Sequence, residues 1–300
     1  MTSKSRKRTL LIIFPLAIML FLHFAAEPAF SGDPTKAKEH FNNALKLMTE
    51  KNDSAAVAEY KAAITEDPQY YDAYLNLGSY YFKTEKFPDA ESNYKKATEI
   101  DPKNAEAWTS LGLTYSKQSK YVDAETAYKT ALSTNADLFD VYKYLGTLYQ
   151  AQQKWPLMVD NMKLYTEKKA DDAEGFYLLG KAYQSQKKYP DAIAAYDKAI
   201  ELNKDHIYSY SGLGQIYQTQ ENYAQALKMF QKVVSLKADN YQAHYNLAIA
   251  YEQLNPDKAD SVMAYWSKFL KVAKNNPKAQ RLIPQAEDHL KELQASKGNK

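Results

Sequence analysis

One glycine column recurs every 34 residues through most of this 300-residue chain. Its members are Gly78, Gly112, Gly146, Gly180 and Gly214. A leucine precedes each glycine and a tyrosine lies three residues after it, as Leu77 and Tyr81 do around Gly78. A fixed period of this length is typical of stacked structural units that repeat the same packing positions. It therefore restricts the chain to a repeat architecture.

Each unit has the pattern of two helices joined by a short turn. Tyr74, Leu77 and Tyr81 are spaced by three and four residues, which places them on one face of a helix. Pro88 then suits the first turn of a second helix, where its missing N–H costs nothing. Pro102 follows the end of that helix. The period therefore predicts a helix–turn–helix unit.

The glycine column requires a packing explanation, because glycine inside a helix costs about 1 kcal/mol relative to alanine. Small residues such as Ala90 and Ala97 mark the inner face of the second helix. We expect the glycines to lie against these alanines, so that the two helices approach closely while larger side chains fill the flanks.

The unit resembles the tetratricopeptide repeat. Its eight characteristic columns are filled in one unit by Tyr74, Leu77, Gly78, Tyr81, Ala90, Tyr94, Ala97 and Pro102. The resemblance implies an all-α, right-handed superhelical solenoid of about seven 34-residue helix–turn–helix repeats over residues 37–274. The units are predicted to start near residues 37, 71, 105, 139, 173, 207 and 241. Residues 275–300 are predicted to form a C-terminal capping helix and a tail.

Two units depart from the pattern. The fourth unit has Met158, Met162 and Tyr165 where small, aromatic and small residues are expected. We favour a repacked core, since methionine fills irregular gaps, over a hinge or a partner contact. The seventh unit is expected to contain one extra residue before Tyr265 and Trp266.

Residues 1–31 have the composition of a secretory signal peptide. Lys4, Arg6, Lys7 and Arg8 precede an apolar run from Leu10 to Ala26, and Ala29 and Ser31 form a small-residue cleavage pattern. The alternative is an uncleaved membrane anchor. The basic end stays in the cytoplasm in either case, so the remainder is expected to be exported. The predicted location is the bacterial periplasm or cell envelope, or alternatively the outer side of the inner membrane.

Charge and residue types exclude several functions. Residues 1–31 hold four of the 39 basic residues and one of the 36 acidic residues, so the remaining chain is balanced. We therefore expect no nucleic-acid partner. The chain has no cysteine, which excludes a cysteine nucleophile and thiolate metal ligands. No combination of nucleophile, base and orienting group is evident, so we predict a non-enzyme without a cofactor or metal.

The resemblance implies that the first helix of each unit lines a concave surface. The candidate partner-binding residues on this surface are Ser79, Lys83, Lys117, Lys143, Thr147, Gln150, Tyr177, Lys181, Gln184, Ser211, Gln215, Gln218 and Tyr245. Side-chain amides and tyrosines suit an extended protein or peptide segment. A carboxylate clamp known in some members of the family is not expected. Lys143 could occupy its first place, but Thr147, Leu178, Tyr208 and Gly212 occupy the others.

These observations predict an exported scaffold that mediates protein–protein interactions in a cell-envelope assembly and binds a partner segment in the concave groove. One alternative is a structural organiser that self-assembles into a homo-oligomer or is tethered to the membrane through residues 1–31. A carbohydrate-binding solenoid is less favoured, because most of the 26 tyrosines fall in packing columns.

Overall fold

The computed structural model describes residues 32–298, so the predicted signal peptide or anchor lies outside the described residues. In this part of the chain the secondary structure is helical. The helices are α1 (Pro34–Thr49), α2 (Asp53–Glu66), α3 (Tyr71–Lys83), α4 (Phe87–Ile100), α5 (Ala105–Lys117), α6 (Tyr121–Thr134), α7 (Phe139–Ala151), α8 (Trp155–Lys168), α9 (Ala173–Ser185), α10 (Tyr189–Leu202), α11 (Ile207–Thr219), α12 (Tyr223–Leu236), α13 (Tyr241–Leu254), α14 (Ala259–Ala273), a short 3₁₀ helix (Pro277–Ala279) and α15 (Ile283–Gly298). Within residues 32–298, none of these helices is both long and apolar enough to cross a bilayer.

The helices stack as seven pairs. Each odd-numbered helix up to α13 packs against the helix that follows it, and the second helix of each pair packs against the first helix of the next. Short turns join the helices of a pair, which makes them antiparallel neighbours. The helix α15 packs on α14 at the end of the stack. The predicted all-α solenoid with a terminal capping helix is therefore confirmed.

Four of the five glycines of the column pack against aromatic rings, and Gly146 packs against Met162. A Cβ atom on Gly78 would lie 2.9 Å from the ring of Tyr94, and one on Gly112 would lie 2.6 Å from the ring of Tyr128. The nearest neighbours of these glycines are therefore rings, whereas the sequence led us to expect the alanines of the second helix. The buried ring projects across the helix–helix interface and needs the space that a side chain on the facing helix would occupy.

The turn within each of the first six pairs contains a residue in the left-handed conformation. These residues are Lys51, Glu85, Ser119, Gln153, Lys187 and Glu221, with φ between 57° and 60°. In the second pair, the Lys86 N–H donates to the carbonyl of Tyr81 at 2.8 Å, and the Glu85 N–H donates to that of Phe82 at 3.1 Å. These bonds satisfy the last carbonyls of the helix, an ending that usually uses glycine. Here non-glycine residues form the same turn.

The seventh pair gains two residues where the sequence led us to expect one. Helix α13 extends to Leu254 and α14 begins at Ala259. As a result, the buried Trp266 lies 36 residues after its counterpart Phe230. Val262 shares this offset from Ala226.

The terminal helix is attached through a small polar network as well as through apolar contacts. Trp266 Nε1 donates to Glu252 Oε2 at 2.9 Å, and His289 Nε2 of α15 lies 2.9 Å from Glu252 Oε1. The Trp266 and His289 rings meet edge to face at 5.2 Å. Glu252 of α13 therefore joins all three final helices.

We predict that Gly112→Ala destabilises the protein more than Gly146→Ala. A Cβ on Gly112 would meet the buried Tyr128 ring, whereas one on Gly146 would lie 2.6 Å from Met162 Sδ, the flexible part of a side chain that can move. Overpacking costs about 1–3 kcal/mol, while the gain in helix propensity offsets about 1 kcal/mol. Urea unfolding of both variants measures the difference. Equal losses of stability would contradict the ring-contact account.

Glu91 has a carboxylate that accepts hydrogen bonds from three side chains. Its oxygens lie 2.7 Å from Lys95 Nζ and 2.6 Å from Lys120 Nζ, and the Gln118 amide donates to it at 2.8 Å. Burial opposes ionisation of the carboxyl group, yet the hydrogen bonds from Lys120, Lys95 and Gln118 outweigh it and lower the pKa of Glu91 to about 2. Helix α4 is thereby joined to the turn after α5.

This lowered pKa predicts an acid-dependent loss of stability. Because the folded pKa lies below the unfolded value near 4.5, the contribution of Glu91 is present above pH 4.5 and is lost as the pH falls towards 2. Glu91→Gln should cost about 2–3 kcal/mol at pH 7, and the difference from wild type should shrink below pH 4. Urea unfolding at pH 7, 5 and 3.5 checks this. A difference that does not change with pH would exclude the ionised carboxylate as its source.

Candidate functional site

Eight of the predicted groove residues surround two adjoining cavities on helices α7, α9 and α11. These residues are Lys143, Thr147, Gln150, Tyr177, Lys181, Gln184, Ser211 and Gln215. The larger cavity has a volume of about 540 Å³ and the smaller one about 450 Å³. The two cavities share Tyr177, Lys181 and Tyr208 as lining residues. The first helices of the middle repeats thus form one extended concave site.

An aromatic cluster separates the two cavities. The Tyr177 ring lies 5.3 Å from that of His206, 5.7 Å from that of Tyr208 and 6.1 Å from that of Tyr196. Tyr208 is 64% exposed, so its ring is available to a ligand. Sequence reasoning did not include Tyr208 among the binding residues. Its spacing of three residues before Ser211 and seven before Gln215, both predicted groove residues, was the available signal.

A chain of hydrogen bonds orders the polar side of the larger cavity. The Tyr196 hydroxyl donates to Gln184 Oε1 at 2.6 Å, and Gln184 Nε2 donates to Gln215 Oε1 at 3.3 Å. Gly212 makes room for this arrangement, because a Cβ there would lie 2.5 Å from the tip of the Tyr196 ring. The buried tyrosine therefore sets the orientation of two groove glutamines.

Lys143 has a different environment from the one its groove position suggested. Its Nζ lies 3.1 Å from Asp172 Oδ2 and 3.1 Å from the Tyr165 hydroxyl, which itself donates to Asp172 Oδ2 at 2.6 Å. Burial disfavours the charged form of Lys143, but the contacts with Tyr165 and Asp172 outweigh it and raise its pKa to about 12. Lys143 thus stabilises the junction between α7, α8 and the turn before α9, and its charge is already paired.

Asp172 shows the matching effect. Burial raises the pKa of the Asp172 carboxyl. Hydrogen bonds from Tyr165 and Lys143 lower it by more, so the pKa lies below its usual value. Asp172 also caps α9 by accepting from the Glu174 N–H at 3.0 Å.

The remaining five predicted groove residues lie away from the two cavities: Ser79, Lys83, Lys117, Gln218 and Tyr245. Ser79 and Lys83 line a separate cavity of about 340 Å³ near the first repeat. The Tyr245 ring packs 5.5 Å from Trp266 and 5.2 Å from Phe269. Tyr245 therefore contributes to the packing of the last repeat.

The unusual residues of the fourth unit are part of the core. Met158 and Met162 are fully buried and Tyr165 is 3% exposed. The large Tyr165 fits because the facing residue of the next unit is Gly175, where a Cβ would lie 2.7 Å from the Tyr165 ring. The burial supports the repacking interpretation, since the two methionines are inaccessible to a partner.

Comparisons with known proteins agree with this geometry. Tetratricopeptide repeat family models match residues 78–119, 105–138, 171–239 and 211–279. No curated protein matches the chain.

Three solved structures illustrate the similarity of fold. The C-terminal part of a tetratricopeptide repeat-containing protein from Cytophaga hutchinsonii has a TM-score of 0.68 and 19% identity, covering 80% of this chain and 98% of that one. A tetratricopeptide repeat protein from Parabacteroides merdae has a TM-score of 0.60 and 16% identity, with 84% and 99% covered. YrrB, a tetratricopeptide repeat protein with an unusual peptide-binding site, has a TM-score of 0.56 and 22% identity, with 62% and 96% covered.

The stacked helix pairs and their concave site define a helical repeat protein of the class that acts as a protein-interaction scaffold, generally without catalytic activity. The chain belongs to the tetratricopeptide repeat family.

We predict that the two groove lysines differ in their effect on stability. Lys143→Gln removes a half-buried ion pair and should cost about 1–3 kcal/mol, because Asp172 loses its cation. Lys181→Gln breaks no hydrogen bond or ion pair of the described residues and should change stability by less than about 0.5 kcal/mol. Urea unfolding at pH 7 measures both variants. Similar losses would show that Lys181 also has a structural partner.

Proposed function

We propose that this protein is an exported tetratricopeptide repeat scaffold that binds a segment of a partner protein in its concave groove, within a cell-envelope assembly. The observation that carries the proposal is the pair of adjoining cavities on α7, α9 and α11, which present an exposed tyrosine and unpaired polar side chains. An extended segment can place alternate side chains in such cavities while glutamine amides bond its backbone.

The peptide-binding site of YrrB supports this proposal by analogy of fold. The export part rests on the basic and apolar pattern of residues 1–31.

Site-specific photo-crosslinking in cells tests groove binding. A photoreactive phenylalanine analogue replaces Gln218, a predicted groove residue on α11 that lies outside both cavities and so leaves them open. The matched control places the same analogue at Val122, which is 77% exposed on the second helix α6. We expect covalent adducts with another protein from position 218 and few from position 122, although position 122 is the more accessible. Adducts from position 122 alone would move the partner to the outer surface and overturn groove binding.

Export is tested with the full chain carrying a C-terminal tag. We expect the tag in the periplasmic fraction with residues 1–31 removed, as N-terminal sequencing would show. A full-length chain in the membrane fraction, accessible from the periplasm, would support the anchored alternative. Retention in the cytoplasm would overturn export in both forms.

A further inference from the structure

The larger cavity contains a cation without a counter-ion. Among the residues that line it, Lys181 is the only charged one, and no aspartate or glutamate is present. Within residues 32–298, no hydrogen bond or ion pair is formed by the Lys181 ammonium. Twelve other lysines and histidines of the described chain have an acidic partner within 4.0 Å. The half-buried Lys181 is therefore available for an external anion.

The hydrogen-bond chain of the cavity adds a second donor. Gln184 Oε1 accepts from Tyr196, and Gln215 Oε1 accepts from Gln184. With both amide oxygens engaged, the Gln215 amide nitrogen is left to donate into the cavity. An ionised carboxylate accepts hydrogen bonds and donates none, so it complements an ammonium and an amide N–H together.

The smaller cavity, which Lys181 also lines, differs from the larger one because an acidic side chain is among its lining residues. Glu174 lines it, with Oε2 3.3 Å from His206 Nε2, and the charge of Lys143 is already paired with Asp172. A carboxylate placed there would meet Glu174, and like charges placed close together are disfavoured. The two cavities therefore select different parts of one bound segment.

On the basis of the proposed function, we propose that the larger cavity binds the carboxylate of an aspartate or glutamate side chain within an extended segment of a partner protein. Lys181 and Gln215 hold the carboxylate. A neighbouring apolar side chain of the same segment packs against Tyr177 and Tyr208, whose amphipathic rings offer contact area at low entropic cost.

Three variants separate this proposal from a general effect on the groove. Lys181→Gln removes the charge and keeps a polar side chain. Gln215→Glu keeps an oxygen that accepts from Gln184 and replaces the free amide nitrogen by a carboxylate oxygen. Lys117→Gln is the matched control, because Lys117 is exposed on the first helix of the third repeat and lies outside both cavities.

The experiment begins with a phage-displayed library of random nine-residue peptides, selected against the purified full chain. Selected peptides are then synthesised in pairs that differ only in Glu or Asp against Gln or Asn, and their affinities are measured by fluorescence anisotropy. A Ser185→Trp variant, which fills the larger cavity, identifies the peptides that bind in the groove. Circular dichroism confirms that every variant keeps its helical content.

We expect the selected groove peptides to contain an acidic residue, and the acidic member of each pair to bind about tenfold more tightly than its amide counterpart. Lys181→Gln should abolish this difference, Gln215→Glu should reverse it, and Lys117→Gln should leave it unchanged. Higher salt should reduce it, because the ion pair is partly exposed to solvent.

Groove peptides that bind equally well in both members of each pair would overturn the carboxylate proposal while leaving the proposed function intact. An equal effect of Lys117→Gln and Lys181→Gln would also overturn it. Nonspecific electrostatic attraction between the lysines of the protein and acidic peptides would then explain the preference. If no selected peptide loses binding in Ser185→Trp, groove binding itself is refuted, and the proposed function fails with it.

Discussion

The contact between a glycine of the first helix and a ring of the second determines the geometry of every regular repeat. In the second, third, fifth and sixth pairs the ring is that of Tyr94, Tyr128, Tyr196 or Phe230. Successive residues in a helix are rotated by about 100°, so the residue that follows each glycine points away from this contact. Lys181 follows Gly180 and Gln215 follows Gly214. The packing of the glycines thus sets the direction of the side chains that follow them, and the proposed binding surface results from how the two helices of a pair pack.

The candidate site also depends on residues outside the regular glycine column. Two glycines outside the regular column, Gly175 and Gly212, each admit a tyrosine from the preceding second helix. One of these tyrosines, Tyr165, bonds Asp172 and Lys143, and the other, Tyr196, orients Gln184. Each irregular glycine therefore links the core to a polar side chain of the concave surface. Departures from the repeat pattern give the middle units a specific chemistry that the regular columns lack.

The sequence was sufficient for the helix pairs, because packing columns repeat only when the structure repeats. It was insufficient for the contacts within a pair, since Ala90 and Tyr94 both lie on the inner face and the period does not tell which one meets Gly78. The sequence also did not show which lysines of the groove have an acidic partner. Lys143 and Lys181 occupy similar surface columns, but only Lys143 has an aspartate 29 residues later that folds back to it. Ion pairs of this kind join residues of different repeats across a turn. A position-by-position comparison of the repeats therefore does not predict them.

Electrostatic recognition by this protein has to be local. The chain carries 39 basic and 36 acidic residues, so its overall field is weak and gives little long-range steering of a partner. Many of the charges of the repeats are also paired internally, as Glu91 is with Lys95 and Lys120. A lysine left unpaired in a concave, partly desolvated cavity then has a disproportionate influence, because charges interact more strongly where water is displaced. In the proposed groove binding, selectivity for a partner thus rests on a few side chains of the fifth and sixth repeats, which the packing of the neighbouring repeats holds in position.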